Sequence, residues 1–223
     1  MSDLRILFTK GGRARYISHL DLMHTMERAF LRAGIAIRHT EGFHPHPYVS
    51  IPLPLPLGFS SDCELLEFGL VSGSTREALP EQMNAALPEG IRILDCYEDG
   101  LPYRRLALVR YALTIEYDRP CADEAAVAFR DLTARESFVV RKRSKKAKSG
   151  FTEVDLIPQI EAVEAVTPDG TVLRLQLLLR AQNPGLNPDI LLNAFREERP
   201  EWPVVYTACH RMEIFTEDRA VFR

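Results

Sequence analysis

Segments with strand and helix periods follow one another as strand, helix, strand, strand, helix, strand, and the 223-residue chain runs through that order twice. The doubled order predicts an α+β protein of two tandem ferredoxin-like (βαββαβ) domains with antiparallel sheets, each sheet carrying two helices on one face. Composition agrees: 46% hydrophobic and 26% charged residues are ordinary for a soluble globular chain that buries a core in each domain.

The first domain, expected over 1–99, opens with "LRILFTK", which alternates apolar and polar residues and ends at Gly11-Gly12. A helix follows over 18–34. Ser18 is its cap, Asp21 stands three residues on, Leu22, Met26, Ala29 and Ala33 form an apolar stripe, and Gly34 stops it. "IAIRH" is a short second strand and "CELLEFGLV" a third. A second helix is expected over 74–87, capped by Ser74 and kinked or shortened at Pro80, before the strand "GIRILDCYE". The second domain, expected over 104–223, starts with the long strand "RLALVRYALTIEYD" and a helix over 121–134. "SFVVRKR" is an extra strand that runs into a basic loop at 141–148. "IPQIEAVEAV" and "TVLRLQLLLR" form a hairpin turning at Thr167-Pro168-Asp169-Gly170. A helix over 187–198 has Asn187 as cap and Pro188 at its first position, and "VVYTACHRMEIF" is the last strand. The domains are joined near 99–104.

Between the second and third strands of the first domain lies the segment 41–62, within "EGFHPHPYVSIPLPLPLGFSSDCE". It is too apolar for a solvated linker and too rich in proline for a helix or a central strand. Its prolines fix extended backbone and forgo ladder donors, so it is expected on the surface or along a sheet edge, as a recognition wall or a structural strap.

The net charge of −3 gives no global signature of a nucleic-acid binder. Cys63, Cys96, Cys121 and Cys209 have neither zinc-ligand nor iron–sulfur spacing, so no metal and no cofactor is expected. Nothing at the N-terminus reads as a signal peptide and no apolar run is long enough to span a membrane, so the expected setting is the reduced cytoplasm, with no membrane partner.

Three groups of residues could carry chemistry. Five of the six histidines fall in the first 46 residues. His24 reads as solvated, whereas His19, His44 and His46, with Asp21, could form one site as acids, bases or ligands. Their spacing matches no standard zinc motif, and a hydrogen-bonded structural His19 and a rigid turn at His44-Pro45-His46 are the plainer reading. Secondly, "KGGRARY" offers backbone N–H groups with Lys10, Arg13 and Arg15, which suits a phosphate as well as it suits a solvated turn, although it is no Walker loop. Thirdly, "RKRSKKAK" places Arg141, Lys142, Arg143, Lys145, Lys146 and Lys148 within eight residues. Such a run is a solvated loop or a phosphate-backbone contact.

"FTKGGRARYISHLDL" followed by "EGFHPHPYVSIPLPLPLGFSSDCE" resembles the radical S-adenosylmethionine-linked (radical SAM-associated) family of bacterial proteins, which is of uncharacterised function. The S-H-L-D, G-F-x-P-x-P and P-L-P-L-G elements occur in order across the N-terminal half, and the second half matches only in organisation. The resemblance implies a separately encoded radical S-adenosylmethionine enzyme as partner. This sequence has no C-x-x-x-C-x-x-C run to hold that enzyme's cluster. The tandem-domain reading also looks like the repeat-associated RNA-processing endonucleases of bacterial defence systems.

Three functions follow from these readings. The preferred one is an accessory substrate-binding protein, not itself an enzyme, that presents tRNA or rRNA to the radical enzyme. Phosphate would be held by Lys10, Arg13, Arg15 and the run 141–148, and the target contacted by His44, His46 and Tyr48. The second is a metal-independent RNA endonuclease with His19 or His44 as general acid or base. The third is a pure protein-interaction adaptor that docks through the proline segment.

Overall fold

The computed structural model describes residues 3–143, 150–182 and 184–223. The chain divides into two compact units. Unit 1 is Met1–Arg105 together with His210–Met212 and Phe222–Arg223, and unit 2 is Leu106–Cys209 together with Glu213–Val221. Both mix α-helices with mostly antiparallel strands. The return of the C-terminal residues to unit 1 has no counterpart in the sequence reading, which placed one boundary at 99–104.

In unit 1, β1 (Asp3–Lys10) pairs antiparallel with β4 (Ser60–Ser72) on one side and β5 (Ile91–Tyr97) on the other. Ile6 stands opposite Leu66 and Cys96, so its side chain is held in the middle of the sheet. The far edge of β4 takes two short strands, β2 (Ala36–Ile37) and β3 (Val49–Ser50), both antiparallel. The strand order is therefore β5-β1-β4-β2, with β3 beside β2 along β4. Helix α1 (His19–Arg32) starts where Ser18 Oγ accepts from Asp21 N at 3.1 Å. Its stripe of Leu22, Met26, Ala29 and Phe30 is buried, and the Phe30 ring lies 4.7 Å from that of Phe68 on β4. Gly34, at φ +71°, turns the chain out of the helix in a conformation that side chains resist. Helix α2 (Leu79–Ala86) is tied to β5 by Asn84, whose amide donates to Ile93 O at 2.9 Å and accepts from Ile93 N at 2.8 Å.

Unit 2 contains β6 (Leu108–Tyr117), α3 (Ala122–Thr133), the hairpin β7 (Val139–Arg143) and β8 (Phe151–Asp155), β9 (Ile160–Asp169), β10 (Val172–Arg180), α4 (Pro188–Glu198) and β11 (Val204–Phe215) except for its residues His210–Met212, which belong to unit 1. Its strand order is β11-β6-β10-β9. Leu113 stands opposite Leu175, and the Phe129 and Phe195 rings of α3 and α4 meet edge to face at 5.4 Å. Asn187 caps α4 by accepting from Asp189 N at 3.0 Å.

Some expectations needed correction. Ser74 does not cap the second helix: it is Thr75 Oγ1 that accepts from Ala78 N, and the helix begins at Leu79 with Pro80 in its first turn. A proline has no N–H to lose there, so it starts the helix instead of kinking it. The hairpin turn falls on Gly170 and Thr171, two residues beyond the centre of the expected Thr167-Pro168-Asp169-Gly170, because β9 extends to Asp169 and pairs it with Val172. Strand β3 lies inside the proline segment, at residues between Pro47 and Pro52 that keep their N–H groups. The strand β8 carries no turn or alternation signal that the sequence reading used.

The position of Pro80 is checked by replacement. Pro80→Ala is expected to change stability in urea by less than about 1 kcal/mol, whereas relief of an interior proline would raise it by about 3 kcal/mol.

Candidate functional site

The proline segment is held by a charge. Arg211 is 2% exposed and Glu64 on β4 is fully buried, and Arg211 Nη1 donates to Glu64 Oε1 at 2.7 Å. The same Nη1 donates to Leu53 O at 2.8 Å, and Nη2 reaches Pro54 O at 3.5 Å. Pro52, Pro54 and Pro56 have no N–H, so this stretch presents chiefly acceptors, and a guanidinium with five donors satisfies them. Gly58 N donates to Arg15 O at 2.8 Å and closes the segment onto the glycine loop.

Lys10, expected to meet phosphate, is instead 1% exposed. Its ammonium donates inward to Ile17 O at 3.1 Å and to Arg15 O at 3.5 Å, and so closes the loop it was expected to arm. Burial pushes its pKa below 10.5; the Glu64 carboxylate opposes the shift and the Arg211 charge adds to it.

Beside Lys10 lies a cleft of about 440 Å³, lined by residues 9–12, 60–62 and 90–92 and by His210. Gly90, at φ +89°, allows this wall to close: a Cβ there would stand 2.5 Å from Gly11 O, and Gly11 N donates to Gly90 O at 2.7 Å. At the cleft, β11 runs parallel to β4 with His210 opposite Ser60 and Arg211 opposite Ser61. Ser60 and Asp62 share one face of β4 through its two-residue period. Ser60 Oγ is 2.8 Å from His210 Nδ1 and Asp62 Oδ2 is 2.8 Å from His210 Nε2. Ser61 faces the other way, buried, and its Oγ accepts from Cys63 N. A second cleft, of about 460 Å³, is apolar and is lined by Phe30 and Leu31 of α1, Ile37 of β2, and His39 and Pro47.

The histidines and basic residues singled out in the sequence lie on several elements. Arg13 is exposed, while Arg15 is half-buried with its guanidinium 4.7 Å from the Tyr16 ring centroid. His44 and His46 are exposed on the loop between β2 and β3, where His46 Nδ1 lies 3.0 Å from Thr40 Oγ1. Tyr48 is half-buried with Arg38 stacked 4.4 Å over its ring, and its hydroxyl is pushed up by burial and by Glu67 and Asp3. His19 is half-buried in the first turn of α1. Among the described residues no three of His, Cys, Asp and Glu converge in a group that could hold a metal, so His19, His44 and His46 with Asp21 do not form one. Arg141 and Lys142 are exposed on β7, and the Arg141 guanidinium lies 4.9 Å over the Phe151 ring of β8. Arg143 ends β7, and Lys145, Lys146 and Lys148 lie outside the described residues. The four cysteines are buried thiols, and burial pushes Cys96 and Cys209 up to about 12.

Sequence reasoning missed Ser60, Asp62, Glu64, His210 and Arg211. Ser60 and Asp62 could have been found from their alternation along one strand, whereas the register shift of β4 between Ser61 and Glu64 turns Glu64 to the interior and leaves no such signal. His210 and Arg211 lie about 150 residues away on a parallel neighbour, and such pairing leaves no local signal.

The sequence profile of one family matches residues 3–188. The chain belongs to DUF2344. That family is described as an uncharacterized protein conserved in bacteria. No curated protein matches this DUF2344 chain. Among solved structures it is similar to a chain of a Cbf5-Nop10-Gar1 complex, with a TM-score of 0.52 at 10% identity over 96% of this chain and 50% of that one. The DUF2344 chain thus spans about half the length of that solved chain, and the likeness is one of fold. An unknown protein from Galdieria sulphuraria is matched with a TM-score of 0.29 at 13% identity, over 92% of this chain and 99% of that one. No helix among the described residues is long and apolar enough to cross a membrane.

Two outcomes test the buried charges. Arg211→Ala is expected to cost about 3–5 kcal/mol in urea unfolding, because it leaves Glu64 buried without its cation. Arg211→Met with Glu64→Leu should recover most of that loss, and a pair as damaging as Arg211→Ala alone would contradict the account. For Lys10 the linkage is that of a base whose folded pKa is lowered. The folded protein sheds this proton at a lower pH than the unfolded chain does, so the Lys10 contribution to stability rises with pH from its lowered folded value up to 10.5. Lys10→Met should lack that rise when unfolding midpoints are compared across the alkaline range.

Proposed function

We propose that this chain is an accessory protein that binds RNA in the cytoplasm and works with a separately encoded radical S-adenosylmethionine enzyme. The observation that carries the RNA reading is the hairpin of β7 and β8. It is built outside the four-stranded order of unit 2, it exposes Arg141 and Lys142, and it sets Arg141 over the ring of Phe151. The sequence continues this strand into "RKRSKKAK", six positive charges in eight residues of a chain whose net charge is −3. Local positive charge recruits phosphate by counterion release, and an aromatic partly exposed beside it can stack a base. Arg13 on the glycine loop extends the same chemistry, whereas buried Lys10 does not. The exposed His44 and His46 would contact the bases or the partner.

We further read each unit as ferredoxin-like. With the short strand β3 and the β7–β8 hairpin set aside, the strands of each unit numbered in sequence give the same order, fourth-first-third-second, for β5-β1-β4-β2 and β11-β6-β10-β9, which supports two copies of one βαββαβ plan.

Fluorescence anisotropy with single-stranded RNA at several salt concentrations tests the reading. Replacing Arg141 and Lys142 with alanine should weaken binding alike across RNA sequences and flatten the slope of log affinity against log salt by roughly 0.7 per lost contact. His44→Ala with His46→Ala should leave the slope intact and change which RNA is preferred. Unchanged affinity and slope in the Arg141 and Lys142 variant would refute phosphate binding by the hairpin. Cleavage of labelled RNA in EDTA would favour the endonuclease reading. The partner is tested by light scattering of this chain mixed with the radical enzyme, where association is expected with or without RNA.

A further inference from the structure

The cleft at β4 and β11 takes no part in the RNA reading, and its polar groups are ordered as a relay. The parallel pairing sets His210 opposite Ser60, and the strand period returns Asp62 to the same face. Both imidazole nitrogens are engaged at 2.8 Å, Nε2 with the Asp62 carboxylate and Nδ1 with the Ser60 hydroxyl. An ionised carboxylate only accepts, so in the neutral imidazole Nε2 carries the proton and Nδ1 is left as the acceptor facing the Ser60 hydroxyl. That is the tautomer a general base needs. The fold does not require this network to set the register of β4 against β11, because Arg211 and Glu64 already lock the two strands in the interior. The relay instead opens on a cleft whose volume, about 440 Å³, lies in the range of small-molecule sites.

We propose that Ser60 is an activated nucleophile, with His210 as general base and Asp62 as the group that orients the imidazole, and that this cleft takes small carboxylic esters. Ser60 Oγ attacks the ester carbonyl carbon and passes its proton to His210 Nδ1. The tetrahedral adduct expels the alkoxide, which takes that proton back from His210, and the acyl group stays on Ser60. Water then attacks the acyl carbon with its proton moving to Nδ1, and Ser60 leaves as its alkoxide and recovers the proton. One ester and one water give one acid and one alcohol, and Asp62 remains ionised throughout. Arg92, exposed on the same cleft, supplies positive charge for the carbonyl oxygen as it becomes an oxyanion. Ser61, one residue away, serves as an internal control, since its side chain is buried and bonded to Cys63.

The test treats the full-length chain with an alkyl fluorophosphonate, maps the adduct by mass spectrometry, and follows hydrolysis of p-nitrophenyl butyrate in parallel. The expected result is one adduct on Ser60 and none on Ser61, with both readouts abolished in Ser60→Ala. His210→Gln should slow labelling by about a hundredfold or more. Asp62→Asn should slow it as well, because an amide can present its N–H to Nε2 and move the imidazole proton to Nδ1. Far-ultraviolet circular dichroism of each variant, matched to the parent protein, separates lost chemistry from lost fold. Absence of a Ser60 adduct in the parent protein would overturn the proposal, as would labelling in the folded His210→Gln variant at the parental rate. These readouts do not involve RNA, so their failure would leave the reading of the β7 and β8 hairpin standing.

Discussion

Glu64 is a carboxylate with no solvent exposure, and an isolated charge in that position would cost several kcal/mol. Arg211 makes the position tolerable. Its guanidinium takes Glu64 Oε1 at 2.7 Å and the carbonyl of Leu53 at 2.8 Å, so one side chain neutralises the carboxylate and satisfies the backbone of the proline segment. Lysine could not do both, because a compact ammonium has no planar fork. The consequence runs through unit 1. The stretch 52–56, whose prolines cannot donate to a ladder, is fixed to the sheet through its acceptors, and the end of the segment is fixed to the glycine loop through Gly58 and Arg15.

The same pairing decides what the other face of the strands presents. Neighbouring residues on a strand point to opposite faces, so a chain that buries Arg211 turns His210 outward toward the cleft. Ser60 and Asp62 are brought to that histidine by the register that brings Ser61 to Arg211. A shift of one residue would expose the arginine and bury the histidine, and the interior charges make such a slip costly. The buried pair thereby fixes the geometry of the polar cleft without touching any ligand.

Much of the fold was legible because its signals are local. Ser18 and Asn187 announce their helices through cap bonds that the structure shows, and the alternation of β1 and β6 is visible in strands of 8 and 10 residues. Pro80 misled because proline is ambiguous, breaking a helix from inside and starting one from the first turn. Lys10 misled for a different reason. Glycines beside a cation suggest a phosphate loop, but β1 ends by placing that cation on a buried face, where Ile17 and Arg15 carbonyls claim it. The cleft was not legible, since its histidine arrives from a strand 150 residues away and no spacing rule connects His210 to Ser60.

Hydrogen exchange read by mass spectrometry in the parent protein and in Arg211→Lys tests most directly whether the guanidinium holds the proline segment. The account predicts faster exchange over residues 49–59, including the Gly58 and Phe59 amides that bond to Arg15 and Pro56, while β1 and α1 keep their protection. Unchanged exchange over 49–59, or a rise spread evenly through unit 1, would contradict it.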